Sequence, residues 1–201
     1  MKRIGQTARA SRAALLLFAA LWPALSLAHS ETGVGGGLAA GLHHPVLGLD
    51  HLVAMVAVGL WGAQLGAPSI WLLPVVFPAV MAAGALLGLL QMPLPGVEYG
   101  IALSACLLGL LVAMKLKAPV ALAGVIVGVF AIFHGHAHGT EVPEAANPLA
   151  YGVGFVVATG LLHLAGILLG LLLKLPAGDW FVRACGAAVA AVGAFFLFGS
   201  A

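Results

Sequence analysis

Six long apolar runs dominate this sequence, and short polar breaks separate them. Each run is about 17 to 25 residues long, which is the length that an α-helix needs to cross the hydrocarbon core of a bilayer. The breaks contain proline, glycine or charged residues, which usually separate helices. The pattern predicts an all-α, polytopic membrane helix bundle with six transmembrane helices, at approximately 46–66, 69–90, 97–114, 118–135, 149–174 and 180–199.

Composition supports the membrane class. Charged residues make up only 7% of the chain and hydrophobic residues 63%, with a mean hydropathy of +1.16. A soluble domain carries about 25% charged residues, so this chain has too few to cover a surface that faces water. We therefore expect one compact membrane unit without a separate soluble domain.

The N-terminus has the features of a targeting segment. A basic stretch precedes the apolar run "AALLLFAALW", which Pro23 ends, and small residues lead up to Ala28. This pattern predicts a secretory signal peptide over residues 1–28. Its cleavage would leave a six-helix transmembrane transporter domain over residues 29–201. An uncleaved anchor helix is the alternative. Cleavage would leave a net charge of −2 with histidine neutral, so we expect no nucleic-acid partner.

Charge predicts how the bundle is oriented. If the signal is cleaved, the mature N-terminus is periplasmic and the loops alternate from there. The four remaining basic residues then all lie in cytoplasmic connections, as the positive-inside rule expects; they are Lys115, Lys117, Lys174 and Arg183. We therefore predict a multi-pass protein of the bacterial inner (cytoplasmic) membrane. Seven of the eight histidines, all but His163, would lie at its outer side.

The first polar cluster is "HHPVLGLDH", which contains His43, His44, Asp50 and His51. With Pro45 in the first turn of the first span, His44 would stand at the cap and His51 two turns further on the same face. Imidazole and carboxylate groups are ligands for Ni²⁺, Co²⁺ or Zn²⁺. The electropositive helix N-terminus disfavours a cation, and Asp50 would have to offset it. The alternative is that Asp50 and His51 merely pair with neighbouring helices.

The second polar cluster is "FHGHAHG", residues 133–139, followed by Glu141. If the segment is helical, His134 and His138 share a face; if it is extended, His134, His136 and His138 point to one side. Gly135 and Gly139 leave both conformations open, and Glu141 could add an oxygen ligand. The alternative is a His-rich loop that binds metal only incidentally.

Two further histidines stand apart from these clusters. His163 lies near the middle of the fifth predicted span, where it is either a deeper ligand for a passing ion or a hydrogen-bonded packing residue. His29 would become the first residue after cleavage, and its α-amine and imidazole together could chelate a metal. Both are included among the candidate metal ligands.

Together, the signal peptide, the six spans, "HPVLGLDH" and "FHGHAHG" with its following glutamate resemble the HupE/UreJ family of nickel permeases over essentially the whole chain. The spacing of His44, Asp50 and His51 is also similar to the His-x4-Asp-His signature of nickel/cobalt transporters, with one extra residue. The resemblance implies that His44, Asp50 and His51 are the principal metal-handling residues, with His134, His136, His138 and Glu141 as the second cluster. By this resemblance His43 is an addition that is not required.

The resemblance implies a secondary permease that takes Ni²⁺ from the periplasm to the cytoplasm for metalloenzymes such as hydrogenase or urease. A cobalt permease of the same type and an intramembrane zinc hydrolase are the alternatives, and a b-type haem protein is a third. No nucleotide-binding P-loop motif is present, so the chain is not its own ATP-driven pump. We expect no enzyme activity and no tightly bound cofactor, with the metal ion and the lipid bilayer as partners. The oligomeric state is left open, a homo-oligomer included.

Overall fold

The computed structural model describes residues 33–143 and 146–199. The predicted signal peptide, His29 and Glu144 therefore lie outside the described residues. Within them the chain forms α-helices joined by short connections, and the helix Pro148–Gly170 continues into a single 3-10 turn at Leu171–Lys174. The helices are α1 Gly33–Leu47, α2 Leu49–Leu65, α3 Ser69–Leu89, α4 Val97–Ala113, α5 Val120–Thr140, α6 Pro148–Gly170 and α7 Gly178–Gly199.

Several of these helices are suited to a membrane. By length and hydropathy α3, α5, α6 and α7 can each cross a bilayer, and α1 with α2 makes a fifth crossing if the two count as one broken span. Helix α4 is apolar but has only 17 residues. The chain is thus a multi-pass helical membrane protein with four or five crossings by this criterion. The count of six stays a prediction.

The first predicted span begins differently from what the sequence suggested. Pro45 lies inside α1 rather than in the first turn of a span, and Gly48, with extended backbone, caps the start of α2. The axes of α1 and α2 differ by 81°. The glycine-rich segment before His43 was not part of any predicted span, yet it is helical because it packs tightly on α6. A Cβ atom at Gly41 would collide with the carbonyl of Tyr151, and small residues permit this approach between helices.

Helices α3 and α5 also pack backbone to backbone. A Cβ atom at Gly84 or Gly88 would collide with carbonyl groups of α5, and one at Gly135 or Gly139 would collide with carbonyl groups of α3. The two glycines of "FHGHAHG" therefore serve close packing, not backbone freedom. Helix α5 continues to Thr140, five residues beyond its predicted end at 135.

Basic residues lie where α4 ends, at the end of the bundle away from His51. Lys115 forms an ion pair with Asp179, and Arg183 donates a hydrogen bond to the carbonyl of Ala113 at 2.9 Å. The indole of Trp61, near the end of α2, donates to the carbonyl of Leu116 at 3.1 Å. These contacts hold the end of α4 to α2 and α7. They lie near the end of α2, whereas His51 lies in its first turn.

Candidate metal site

Three buried histidines from two helices converge near the start of α2. His51 lies in the first turn of α2, and His134 and His138 lie one turn apart on α5. One nitrogen from each ring lies within 4.8 Å of the others. The ring centroids of His51 lie 4.9 Å from His134 and 4.4 Å from His138. We refer to His51, His134 and His138 as the histidine triad. Because α5 includes the whole of residues 133–139, the helical alternative for the second cluster is confirmed.

Asp50 fixes the orientation of His51. Oδ1 of Asp50 lies 2.9 Å from Nδ1 of His51, and the backbone N–H of His51 donates to the same oxygen at 2.9 Å. A carboxylate accepts but does not donate, so Nδ1 of the neutral imidazole carries the proton. Nε2 then keeps its lone pair, and this buried atom has no hydrogen-bond partner. This is the carboxylate–histidine arrangement that supports metal ligands.

Ser104 of α4 plays the corresponding part for His134. Its hydroxyl lies 2.6 Å from the carbonyl of Ile101, to which it donates, and 2.8 Å from Nε2 of His134. Because the hydroxyl has one proton, its oxygen accepts from Nε2–H of His134. The lone pair is then on Nδ1, which is buried and without a partner.

His138 is shared with a second group nearer the surface. Nε2 of His44 lies 2.8 Å from Oε2 of Glu141, and that oxygen lies 3.7 Å from Nδ1 of His138. The ligand atoms of His44, His138 and Glu141 all lie within 4.8 Å of one another. Neither ring nitrogen of His138 has a hydrogen-bond partner. We call these three residues the outer group.

Helix ends of both polarities lie at this place. His44 lies in the last turn of α1, His138 lies in the last turn of α5, and Glu141 is the C-cap of α5. A helix C-terminus carries partial negative charge and a helix N-terminus partial positive charge. The C-termini of α1 and α5 therefore add partial negative charge beside the N-termini of α2 and α6. Asp50 lies in the first turn of α2, where its carboxylate adds negative charge beside the electropositive helix end.

The remaining predicted site residues lie elsewhere. Nε2 of His136 donates to the carbonyl of Met92 at 2.7 Å, which ties the α3–α4 connection to α5. His43 is exposed and belongs to neither group. His163 is fully buried in α6, and the ring of Phe77 contacts both it and His134. Asp50 contacts His51 without belonging to either group of converging ligand atoms.

Sequence reasoning missed the neighbours of these histidines. Ser104 gives only a weak signal, a single hydroxyl within an apolar helix. The rings of Tyr151 and Phe155, on α6, lie 5.9 Å and 6.4 Å from the ring of His44, and Phe155 lies 4.0 Å from His138. No spacing in the sequence links these residues to the two histidine clusters.

Comparison with known proteins agrees with the resemblance seen in the motifs. The model of the "HupE / UreJ protein" family matches residues 15–196. The chain is 47% identical over 175 residues to "Protein HupE" of Rhizobium leguminosarum bv. viciae, an alignment that covers 87% of this chain and 92% of that relative. No solved structure matches. With both polar motifs folded into one site and the match spanning nearly its whole length, the chain belongs to the HupE/UreJ family.

Proposed function

We propose that this protein is a secondary permease that carries Ni²⁺ from the periplasm into the cytoplasm. The observation that carries the proposal is the histidine triad, whose three buried rings each bring one nitrogen within 4.8 Å of the others and each carry a nitrogen without a hydrogen-bond partner. A buried polar atom without a partner destabilises a fold by about 1–3 kcal/mol. Three such atoms at one point are best explained by a cation that they bind.

The donor set suits a borderline divalent ion. Neutral imidazole is a good ligand for nickel, cobalt and zinc, whereas magnesium and calcium prefer oxygen. The triad offers imidazole nitrogen alone, and the outer group adds a carboxylate. Membership of the HupE/UreJ family favours nickel, with cobalt as the alternative cargo.

The shared ligand suggests two successive positions. A neutral imidazole has one lone pair, so His138 cannot hold an ion in the outer group and in the triad at once. The outer group is the more exposed, since the side chains of His44 and Glu141 are 32% and 47% exposed, whereas that of His51 in the triad is 10% exposed. We propose that the outer group captures the ion and that His138 passes it to the triad.

Direction follows from the predicted orientation. With the signal peptide removed and six crossings formed by α2 to α7, both groups open to the periplasm and the basic connections face the cytoplasm. Helix α4, at 17 residues, is at the short end of the spanning range. Uptake then runs from the histidine end of α2 toward Trp61.

The test is accumulation of ⁶³Ni²⁺ by a strain that lacks its own nickel uptake. His51→Ala and His134→Gln should abolish accumulation because each removes one triad nitrogen. His43→Gln is the matched control, since His43 is exposed and outside both groups. Membrane levels of each variant are measured alongside. Accumulation that survives in both triad variants would overturn the proposal, and competition by Co²⁺ in the same assay decides between the two cargoes.

A further inference from the structure

The buried face of α6 leads from the metal site into the bundle. Tyr151, Phe155, Thr159 and His163 follow at intervals of four residues, so they lie on one face of the helix. All four are buried. Phe155 contacts the ring of His138 at a centroid distance of 4.0 Å. Eight residues further, at about 1.5 Å per residue, His163 lies about 12 Å deeper.

The two deeper residues on this face have unsatisfied polar atoms. Thr159 and His163 are both 0% exposed. The hydroxyl of Thr159 has no hydrogen-bond partner in the described structure, and His163 has none besides the backbone of Pro74. At least one ring nitrogen of His163 is therefore left without a partner. This face therefore carries donor atoms that packing alone does not explain.

Helix α3 supplies a carbonyl oxygen beside His163 that could serve as a third metal ligand. Pro78 lies inside α3 and has no N–H, so the carbonyl of Pro74, four residues earlier, has no helical partner. The backbone of Pro74 interacts with His163. Phe77, on the same helix, contacts both the metal site and this point, with its ring centroid 5.4 Å from that of His134 and 5.3 Å from that of His163.

We propose that Thr159, His163 and the carbonyl of Pro74 form a second, inner cation-binding position, which receives the divalent metal ion after it leaves the histidine triad past Phe77. This inference rests on the proposed transport function. One imidazole and two neutral oxygens bind a nickel-like ion less tightly than three imidazoles do. A weaker second position allows the ion to move on, which conduction requires.

The first test separates binding from transport. His163→Gln and Thr159→Val are compared with His134→Gln by equilibrium dialysis of Ni²⁺ and by ⁶³Ni²⁺ uptake into proteoliposomes. In His163→Gln we expect triad binding close to that of the parent protein and uptake lower by about tenfold or more. Thr159→Val should have the same effect to a smaller degree. Parent-like uptake by His163→Gln would overturn the inner position.

A second test uses a gain of sensitivity, which loss of packing would not produce. Thiolate prefers softer metals, so His163→Cys should make nickel uptake sensitive to Cd²⁺ at concentrations about tenfold lower than in the parent protein. Leu162→Cys, one residue away on α6, is the matched control. Equal cadmium sensitivity in the two variants would refute the inner position and leave the triad intact. Absence of metal uptake by the parent protein would instead refute the transport function itself.

Discussion

We infer that the carboxylate of Asp50 supports metal binding through His51 and is not itself a ligand. The sequence placed it among the direct ligands, together with His44 and His51. The structure gives both of its short contacts to His51, one to the ring and one to the backbone N–H. Its proposed part in metal binding is therefore to hold the proton on Nδ1 and leave Nε2 for the ion.

Asp50→Asn tests that part. The amide oxygen can still accept from His51, but its charge is lost, so we expect Ni²⁺ affinity to fall by about 10–100-fold while one ion still binds. Isothermal titration of the purified protein measures both quantities. If Asp50 were a direct ligand of equal rank with the histidines, Asn would behave like His51→Ala and binding would disappear.

His136 is the histidine of "FHGHAHG" that we expect to have a structural part and no part in metal binding. Its hydrogen bond to the carbonyl of Met92 stabilises the α3–α4 connection and directs the ring away from the triad. His136→Leu should lower the free energy of unfolding by about 1 kcal/mol and leave nickel affinity unchanged. Thermal unfolding and dialysis of the same preparation measure the two effects, and a loss of affinity as large as in His134→Gln would contradict this assignment.

At the scale of helices, the contact between α3 and α5 positions the metal ligands. Gly135 and Gly139 face α3 so closely that neither accommodates a Cβ atom. The preceding residues, His134 and His138, are rotated by about 100° from that face and reach His51 instead. The glycines of the motif thus orient its histidines.

Gly135→Ala should push α5 away from α3 and destabilise the protein by about 1–3 kcal/mol. Gly128→Ala on the same helix is the control, because its Cβ atom would lie 3.8 Å from the nearest side-chain atom, on Val80. There the change should be neutral or stabilising by up to about 1 kcal/mol, from helix propensity. Thermal unfolding in detergent compares them; equal losses of stability would show that close packing at Gly135 is not what matters.

For the whole molecule, the sequence predicted the broad class, and it predicted that the two histidine clusters lie at the same side of the bundle. The i, i+4 spacing of His134 and His138 predicted a shared face only if the segment was helical, and the extended alternative stayed open until the structure showed helix α5 running to Thr140. The sequence could not predict α1, because a glycine-rich helix is stabilised by contact with α6 rather than by its own propensity. Nor could it predict the contacts of Ser104 with His134 or of Met92 with His136, which join segments distant in sequence.

The orientation of the whole bundle is a separate prediction. In a background with Cys106 and Cys185 replaced by alanine, His43→Cys should react with a membrane-impermeant maleimide from the periplasmic side. Lys117→Cys should react only after the membrane is permeabilised, since its connection is predicted to be cytoplasmic. Both positions are exposed. The reverse labelling pattern would contradict the proposed direction of uptake.

The central claim is that the histidine triad binds the transported ion, and X-ray absorption spectroscopy of the nickel-loaded protein tests it most directly. The account predicts the multiple-scattering pattern of imidazole, with three histidines corresponding to His51, His134 and His138. His134→Gln should lose one of them. A spectrum with oxygen ligands alone, or one that His134→Gln leaves unchanged, would contradict it.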